Sequence, residues 1–308
     1  MSFLQSFANA MPGAVTQGLI WGIMAIGVYL TFRILDVADL TVDGSLATGG
    51  AVAVMLIRAG WNAWLALLCA FIAGMLAGLV TGLFHTRCGI PAILSGILTQ
   101  LALYSINLRI MANKSNQPVG VDKYSLLVSQ RYVRELSLQN PLPLLLVILA
   151  VLIALLYWFF GTERGCSLRA TGANSRMASA QGINVNSNLV LGLMLSNGLV
   201  ALSGGLLAQY QGASDVNMGR GAIVIGLAAV IIGEVLFDRI FRSFSMKLVA
   251  VCIGAVIYYL VLQLVLQFGL NTNDLKLITA LIVAFFLALP YWKKNLVRVK
   301  KKEAVSRA

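Results

Sequence analysis

Apolar stretches long enough to cross a lipid bilayer recur along the whole chain, and this repetition constrains the fold more than any other feature. A transmembrane helix needs about 20 apolar residues, whereas a strand of a membrane barrel needs about 10. Only 11% of the residues are charged, against about 25% in soluble domains. We therefore predict an all-α, polytopic membrane helix bundle. Its nine candidate spans are Ala14–Ile34, Val42–Ile57, Ala63–Phe84, Ile90–Met111, Leu142–Phe160, Leu189–Tyr210, Ala222–Phe237, Met246–Phe268 and Leu275–Tyr291.

Two of the predicted spans, Val42–Ile57 and Ala222–Phe237, are short and interrupted by glycines. Short, interrupted spans at corresponding places in two halves are typical of inverted repeats whose broken helices line a path. The internal sequence similarity is weak, so the pattern leaves the inverted repeat open. It also leaves open a ten-span chain or a re-entrant Val42–Ile57.

Basic residues predict the orientation in a bacterial inner (plasma) membrane, because Lys and Arg concentrate on the cytoplasmic side. Residues 293–308 form a strongly basic tail, which we place in the cytoplasm. Counting spans back from this tail makes residues 161–188 a cytoplasmic loop and residues 112–141 an extracytoplasmic loop, within a transmembrane domain of residues 1–292. The net charge of +12 is explained by this bias, and nucleic acid is not predicted as a partner.

A polar segment, Gly165–Asn184, lies between two of the apolar spans. Asn174 suits a helix N-cap, Ser175–Gln181 is compatible with a helix, and Gly182 suits its C-terminal stop. An isolated helix of about two turns is unstable in water. We therefore expect this helix to pack on a partner surface.

Catalytic and metal-binding patterns are absent from the sequence. There is no GxxxxGK[ST] phosphate-binding loop, and the single histidine, His85, has no cluster of cysteines or carboxylates around it. Neither a metal site nor a hydrolytic triad is predicted. We accordingly expect no enzymatic activity in this chain.

Polar residues within or beside the spans are candidates for a path or gate. The three acids between the first two spans either cap the broken second helix or order a cytoplasmic gate, and Glu234 is either a salt-bridged acid at the inner face or part of the gate. Amides and hydroxyls inside spans either bond neighbouring helices or line a cavity. The full set is Asp36, Asp39, Asp43, Ser95, Thr99, Gln100, Asn107, Asn197 and Glu234.

Three regions carry a family resemblance. The polar segment reads G-x3-R-A-x-G-x-N-x3-A-x3-G-I from Gly165 to Ile183. The other two regions are glycine-rich and include spans, and they are Gly18–Val52 and Gly205–Gly233. The chain resembles the branched-chain amino-acid and ribose permeases of ATP-binding-cassette (ABC) importers, with a type II-like fold. The segment FRILDVADLTVDGS resembles the corresponding segment of one subgroup, the tryptophan and tyrosine uptake permeases.

The resemblance implies partners. Two P-loop ATPase subunits would hold ATP and Mg²⁺, and the chain itself would need no cofactor. A second permease copy, most simply in a homodimer, and an extracytoplasmic substrate-binding protein would complete the transporter within the membrane lipids. The residues implied in ATPase coupling are Arg169, Gly172, Asn174, Arg176, Ala178, Gly182 and Ile183. The two arginines are equally explained as ordinary cytoplasmic charges or as contacts to lipid phosphates.

The resemblance and the apolar path together favour an aromatic or branched-chain amino acid as the transported solute. A sugar or a nucleoside stays open, as do an ion-coupled secondary transporter and a membrane-bound enzyme or scaffold.

Overall fold

The computed structural model describes residues 3–120, 123–133, 140–237 and 243–267, with eight scattered residues between 277 and 288. Helices dominate these ranges. Their bounds are α1 Phe3–Tyr29, α2 Val42–Arg58, α3 Ala63–Thr86, α4 Ala92–Ile110, α5 Pro141–Gly161, α6 Glu163–Ala173, α7 Ser175–Ala180, α8 Val185–Gln211, α9 Ala222–Phe237 and α10 Phe244–Gln267. A π-helical turn, Leu30–Ile34, extends α1, and a 3-10 turn spans Gln130–Tyr132. Two short strands, β1 Asn116–Pro118 and β2 Ala213–Asp215, pair antiparallel.

The predicted helix bundle is confirmed. Six helices are long and apolar enough to cross a membrane, and α9 is a shorter apolar helix. The short second span is also helical, as α2. The ninth predicted span, Leu275–Tyr291, and the basic tail of residues 293–308 lie wholly or mainly outside the described residues.

Glycines bring the central helices into backbone contact. A side chain at Gly74 or Gly78 of α3 would collide with the backbone of α8, and one at Gly49 of α2 would collide with the Ala201 carbonyl of the same helix. Small residues permit this approach, and close van der Waals packing is what holds helices together in lipid. As a result α8 lies in the middle of the bundle, against α1, α2 and α3.

The bundle has two distinct ends. At one end, which we call the strand side, β1 and β2 pair beyond the end of α8, and the Arg58 guanidinium donates to the Gln117 side chain. At the other end, the α7 side, α6 and α7 lie beside the start of α8, where the Asn188 amide donates to Ser167. With 27 residues, α8 separates the two sides by about 40 Å.

Candidate functional site

Two short helices meet at their amino ends inside the bundle. The chain leaves the π-helical turn at the α7 side, continues without helix through residues 35–41 and starts α2 at Val42. The Asp43 carboxylate of α2 accepts hydrogen bonds from the backbone N–H groups of Gly221 and Ile223, both at 3.0 Å. These groups belong to the start of α9, where the exposed N–H ends of the helix favour a negative charge. Asp43 therefore caps α9, whereas the sequence suggested a cap for α2 itself.

The meeting point of α2 and α9 lies between the two sides of the bundle. From Asp43, α2 runs to Arg58 at the strand side, and its 17 residues span about 25 Å. From Ala222, α9 runs the opposite way, and its 16 residues span about 24 Å. Two half-helices of opposite direction starting near mid-depth are what broken helices in an inverted repeat would produce.

A buried polar network fixes the non-helical segment before α2. One oxygen of the Asp39 carboxylate accepts from the Thr41 N–H at 2.9 Å, and the other accepts from the Asn197 amide at 2.6 Å. The Asn197 carbonyl oxygen accepts from the Ser45 hydroxyl at 2.6 Å, and the Thr41 and Thr81 hydroxyls lie 2.8 Å apart. Since Asp39 is 2% exposed, these bonds supply the partners that a buried carboxylate requires. Asp39 and Asn197 thus tie the start of α2 to α8.

A cavity of about 370 Å³ opens beside the meeting point, and we call it the polar cavity for the charged and amide side chains in its otherwise apolar lining. Its lining comes from α2, α4 and the segment before α9, namely Asp43, Gly44, Gln100, Leu101, Tyr104, Asn107, Val216 and Arg220. Gly44 lets the two helices approach, since a side chain there would press on the Gln100 backbone. This volume lies in the range of small-molecule sites, about 300–1,000 Å³.

Asn107 is the unusual residue of the cavity. It is 1% exposed, and neither its amide nitrogen nor its amide oxygen has a hydrogen-bond partner among the described residues. A buried polar group without a partner costs about 1–3 kcal/mol. Because an unpaired buried amide destabilises the protein, its presence calls for an explanation, and contact with a solute in the cavity is one candidate.

The predicted path residues of α4 divide into two groups. Thr99, Leu103 and Asn107 follow one another at four-residue spacing, which places them on one helix face, and all three are buried. However, the Thr99 hydroxyl donates to the Ser95 carbonyl and the Ser95 hydroxyl donates to the Ala92 carbonyl, so both hydroxyls have partners within α4. Gln100 and Asn107 line the cavity, and Ser95 and Thr99 do not.

Sequence reasoning missed five lining residues, Gly44, Leu101, Tyr104, Val216 and Arg220. Arg220 lies between the predicted spans Leu189–Tyr210 and Ala222–Phe237, outside both. The available signal was its position between Gly219 and Gly221 directly before a short span. A side chain at Gly219 would collide with the Asp43 carbonyl, so this glycine allows the turn to reach α2.

Three predicted path acids, Asp36, Asp39 and Glu234, do not line the cavity. Asp36 is exposed and adopts a left-handed backbone conformation with φ of 57°, at the sharp turn after the π-helical turn. Glu234 forms a salt bridge of 2.9 Å with Arg33 near the α7 side. The predicted salt bridge of Glu234 is therefore present, with a partner that the sequence did not indicate.

The second candidate element is the α6–α7 segment. The predicted short helix is confirmed as α7: the Asn174 side chain accepts from the Met177 N–H at 3.0 Å, and Gly182 has a φ of +78° past the helix end. The segment before it is also helical, as α6, where the sequence indicated only a polar loop. Thr162 caps α6 by accepting from the Gly165 N–H.

The implied coupling residues have two different kinds of surroundings. Gly172 lies directly against the carbonyl of Ile34, and the Arg169 guanidinium donates to the Phe160 carbonyl at 2.8 Å. These two residues attach α6 to the bundle. On α7, Ala178 is buried and Ile183 folds back to it through a backbone hydrogen bond of 3.1 Å. The outward surface of α7 contains Arg176 and Met177, of which Met177 is 64% exposed.

The described residues contain no group of three His, Cys, Asp or Glu side chains able to hold a metal ion. What the geometry provides is a polar cavity at two broken helices and a surface helix joined to α1 and α8. This combination defines a multi-pass membrane protein of the permease class.

Comparison with known proteins identifies the family. A family model described as the permease component of branched-chain amino acid transport systems matches residues 11–288, and the chain belongs to that family. It is 43% identical over 280 residues to the tyrosine transport system permease protein of Clostridioides difficile (strain R20291), covering 91% of each chain. It is also 33% identical over 289 residues to an uncharacterized protein of Rickettsia prowazekii, covering 93% of this chain and 99% of that one.

A solved structure confirms the fold class. PsaBC from Streptococcus pneumoniae, in complex with Fab, matches with a TM-score of 0.51 and covers 94% of this chain and 91% of its own. Sequence identity is 18%, so this likeness concerns the fold alone.

Proposed function

We propose that the chain is the membrane subunit of an ABC importer that carries an aromatic or branched-chain amino acid, with ATP hydrolysed by a separate P-loop subunit. The membership of the permease family and the similarity to a tyrosine transport permease support an amino acid as the solute. The polar cavity at the two broken helices supplies a place for a small solute at mid-depth.

The observation that carries this proposal is the attachment of α7 to the transport helices. α7 exposes Met177 and Arg176, while its neighbour α6 is pressed on the end of α1 through Gly172 and Ile34. The Asn188 amide of α8 also donates to the Thr171 hydroxyl of α6 at 2.9 Å. A force on α7 would therefore reach both α1 and α8. Closure of two ATPase subunits could supply that force.

The complete transporter in this proposal contains further partners. A second copy of the chain would complete the central path, a substrate-binding protein would deliver the solute at the strand side, and the bacterial inner membrane would surround the assembly. The α7 side and the C-terminus would then face the cytoplasm, where the ATPase subunits bind ATP and Mg²⁺.

Purification of the tagged chain in mild detergent tests the class. We expect a P-loop ATPase to co-purify in stoichiometric amount with the wild type. We expect this ATPase to be lost when a carboxylate is placed on the exposed face of α7, either by Arg176→Glu or by Met177→Glu. The matched control is Arg87→Glu, which reverses an exposed charge in the turn between α3 and α4. Retention of the ATPase by both α7 variants, in well-folded protein, would refute α7 as the docking helix.

Uptake in cells tests the energy source and the solute. We expect radiolabelled L-tyrosine or L-leucine to accumulate in an ATP-dependent manner, with little effect of an uncoupler while ATP is maintained. Uptake that continues after ATP depletion and stops with the uncoupler would instead identify an ion-coupled transporter.

A further inference from the structure

An exposed arginine, Arg220, lines the polar cavity, and no acidic side chain of the described residues pairs with it. Among the described residues, Arg220 has no carboxylate within salt-bridge distance, and the ion pair found there joins Arg33 to Glu234. Asp43 lines the same cavity, but both of its oxygens accept backbone hydrogen bonds at the start of α9. The guanidinium is thus available to an anionic group of a solute.

Asn107 adds a second polar residue at the same cavity. It lines the cavity, and its buried amide has no partner on either atom among the described residues. An amide can donate to a carboxylate through its N–H₂ and accept from an ammonium group through its oxygen. Asn107 and Arg220 together therefore complement the charged end of an α-amino acid.

The remaining wall of the cavity suits an apolar side chain. Leu101 and Tyr104 lie one turn apart on α4, are 64% and 42% exposed, and line the cavity with Val216. An aromatic ring gains from contact with another ring, and an aliphatic side chain gains from contact with either residue.

We propose that this cavity binds the amino acid in transit. Arg220 pairs with the α-carboxylate, Asn107 hydrogen-bonds the charged end, and Leu101 and Tyr104 flank the side chain. The proposal rests on the function proposed above and assigns its solute site. A sugar has no negative charge and would leave the guanidinium unpaired, so the charge pattern favours a carboxylate. Arginine suits this task because its planar fork can bind both oxygens at once.

The test uses the complete transporter, with its ATPase and binding protein, in proteoliposomes. The probe is the radiolabelled amino acid that the wild type takes up, chosen among L-tyrosine, L-tryptophan, L-phenylalanine and L-leucine. A hydrogen bond between charged groups changes binding by about tenfold or more, and we expect Arg220→Gln to reduce uptake to that degree. Arg220→Lys keeps the charge but loses the planar fork, so its uptake should lie between that of Arg220→Gln and that of the wild type. Arg109→Gln, at an exposed arginine near the end of α4, is the matched control and should have no effect.

Asn107→Leu gives a readout that a purely structural role would not produce. Replacing an unpaired buried amide by an apolar group of similar size should leave thermal stability unchanged or raised. Uptake should nevertheless fall, since the solute loses a hydrogen-bonding partner. A variant that is less stable than wild type but transports normally would overturn the role of Asn107.

The outcomes separate this inference from the proposed function. Wild-type uptake with equal uptake by Arg220→Gln overturns the solute site and leaves the importer intact. Equal loss in Arg220→Gln and Arg220→Lys also overturns it, because the charge that lysine keeps should preserve part of the uptake. If the wild-type transporter hydrolyses ATP and takes up none of the four amino acids, the proposed function fails and the solute site fails with it.

Discussion

The hydrogen bonds between Asp43 and the start of α9 predict a graded effect of substitution on stability. The carboxylate accepts two backbone N–H groups at 3.0 Å. Hydrogen bonds to a charged group contribute about 1.5–3 kcal/mol each. Asp43→Ala removes both, and we expect a loss of about 3–6 kcal/mol in the free energy of unfolding. Asp43→Asn keeps one acceptor oxygen and should lose about half of that amount.

Equilibrium unfolding in mixed micelles by increasing the fraction of a denaturing detergent measures this series. Asp215→Asn is the matched control: its carboxylate accepts from the Asn217 N–H at 2.7 Å in an exposed turn, where water replaces a lost bond and the cost should stay below about 1 kcal/mol. Unfolding free energies of Asp43→Ala and Asp43→Asn that equal each other and the control would refute the role of Asp43 in joining the two broken helices.

Three further predictions concern the packing and the charges. Gly172→Ala should destabilise the protein and weaken ATPase-dependent uptake, because the added methyl group would collide with the backbone of the π-helical turn. In the control Gly161→Ala the methyl group meets nothing within 4 Å, so this variant should be neutral or stabilising. Equal melting temperatures of the two variants would contradict this prediction. Asn197→Asp places a second carboxylate against a buried one and should cost about 3–5 kcal/mol in the free energy of unfolding, whereas Asn186→Asp on the exposed face of the same helix should cost little. Glu234→Gln breaks an ion pair whose two side chains are 60% and 31% exposed, so a stability change below about 1 kcal/mol is expected, and an uptake loss of more than tenfold would instead indicate an ion-handling role.

Local chemistry explains why part of the site was predictable. Asn174 caps α7 with its own side chain, and Gly182 provides the left-handed residue after the helix. Both effects act within a few residues and favour particular residue types, so they can be predicted from the sequence. The shared face of Thr99, Leu103 and Asn107 follows from helical periodicity alone. By contrast, α6 contains few apolar residues, and its helical state depends on packing against the ends of α1 and α5.

Contacts between residues that are distant in the sequence could not be predicted from local patterns. Asp43 and Gly221 are 178 positions apart, so nothing local indicates that an acid of α2 caps α9. Arg33 was equally hidden as the partner of Glu234, since sequence reasoning considered only nearby charges. Arg220 lies between two predicted spans, and only the contact of the segment before α9 with α2 showed that it lines the cavity.

The sequence by itself determined that the chain is a helical membrane protein and where nine of its helices run, because span length and helix capping are local properties of the sequence. Its motifs also indicated the family to which it belongs. Only the tertiary structure decided which polar residues share one cavity. In a bilayer, polar groups turn inward wherever they occur. Whether an inward group bonds its own helix, as Thr99 does, or stays unpaired at a cavity, as Asn107 does, depends on how closely the neighbouring helices approach.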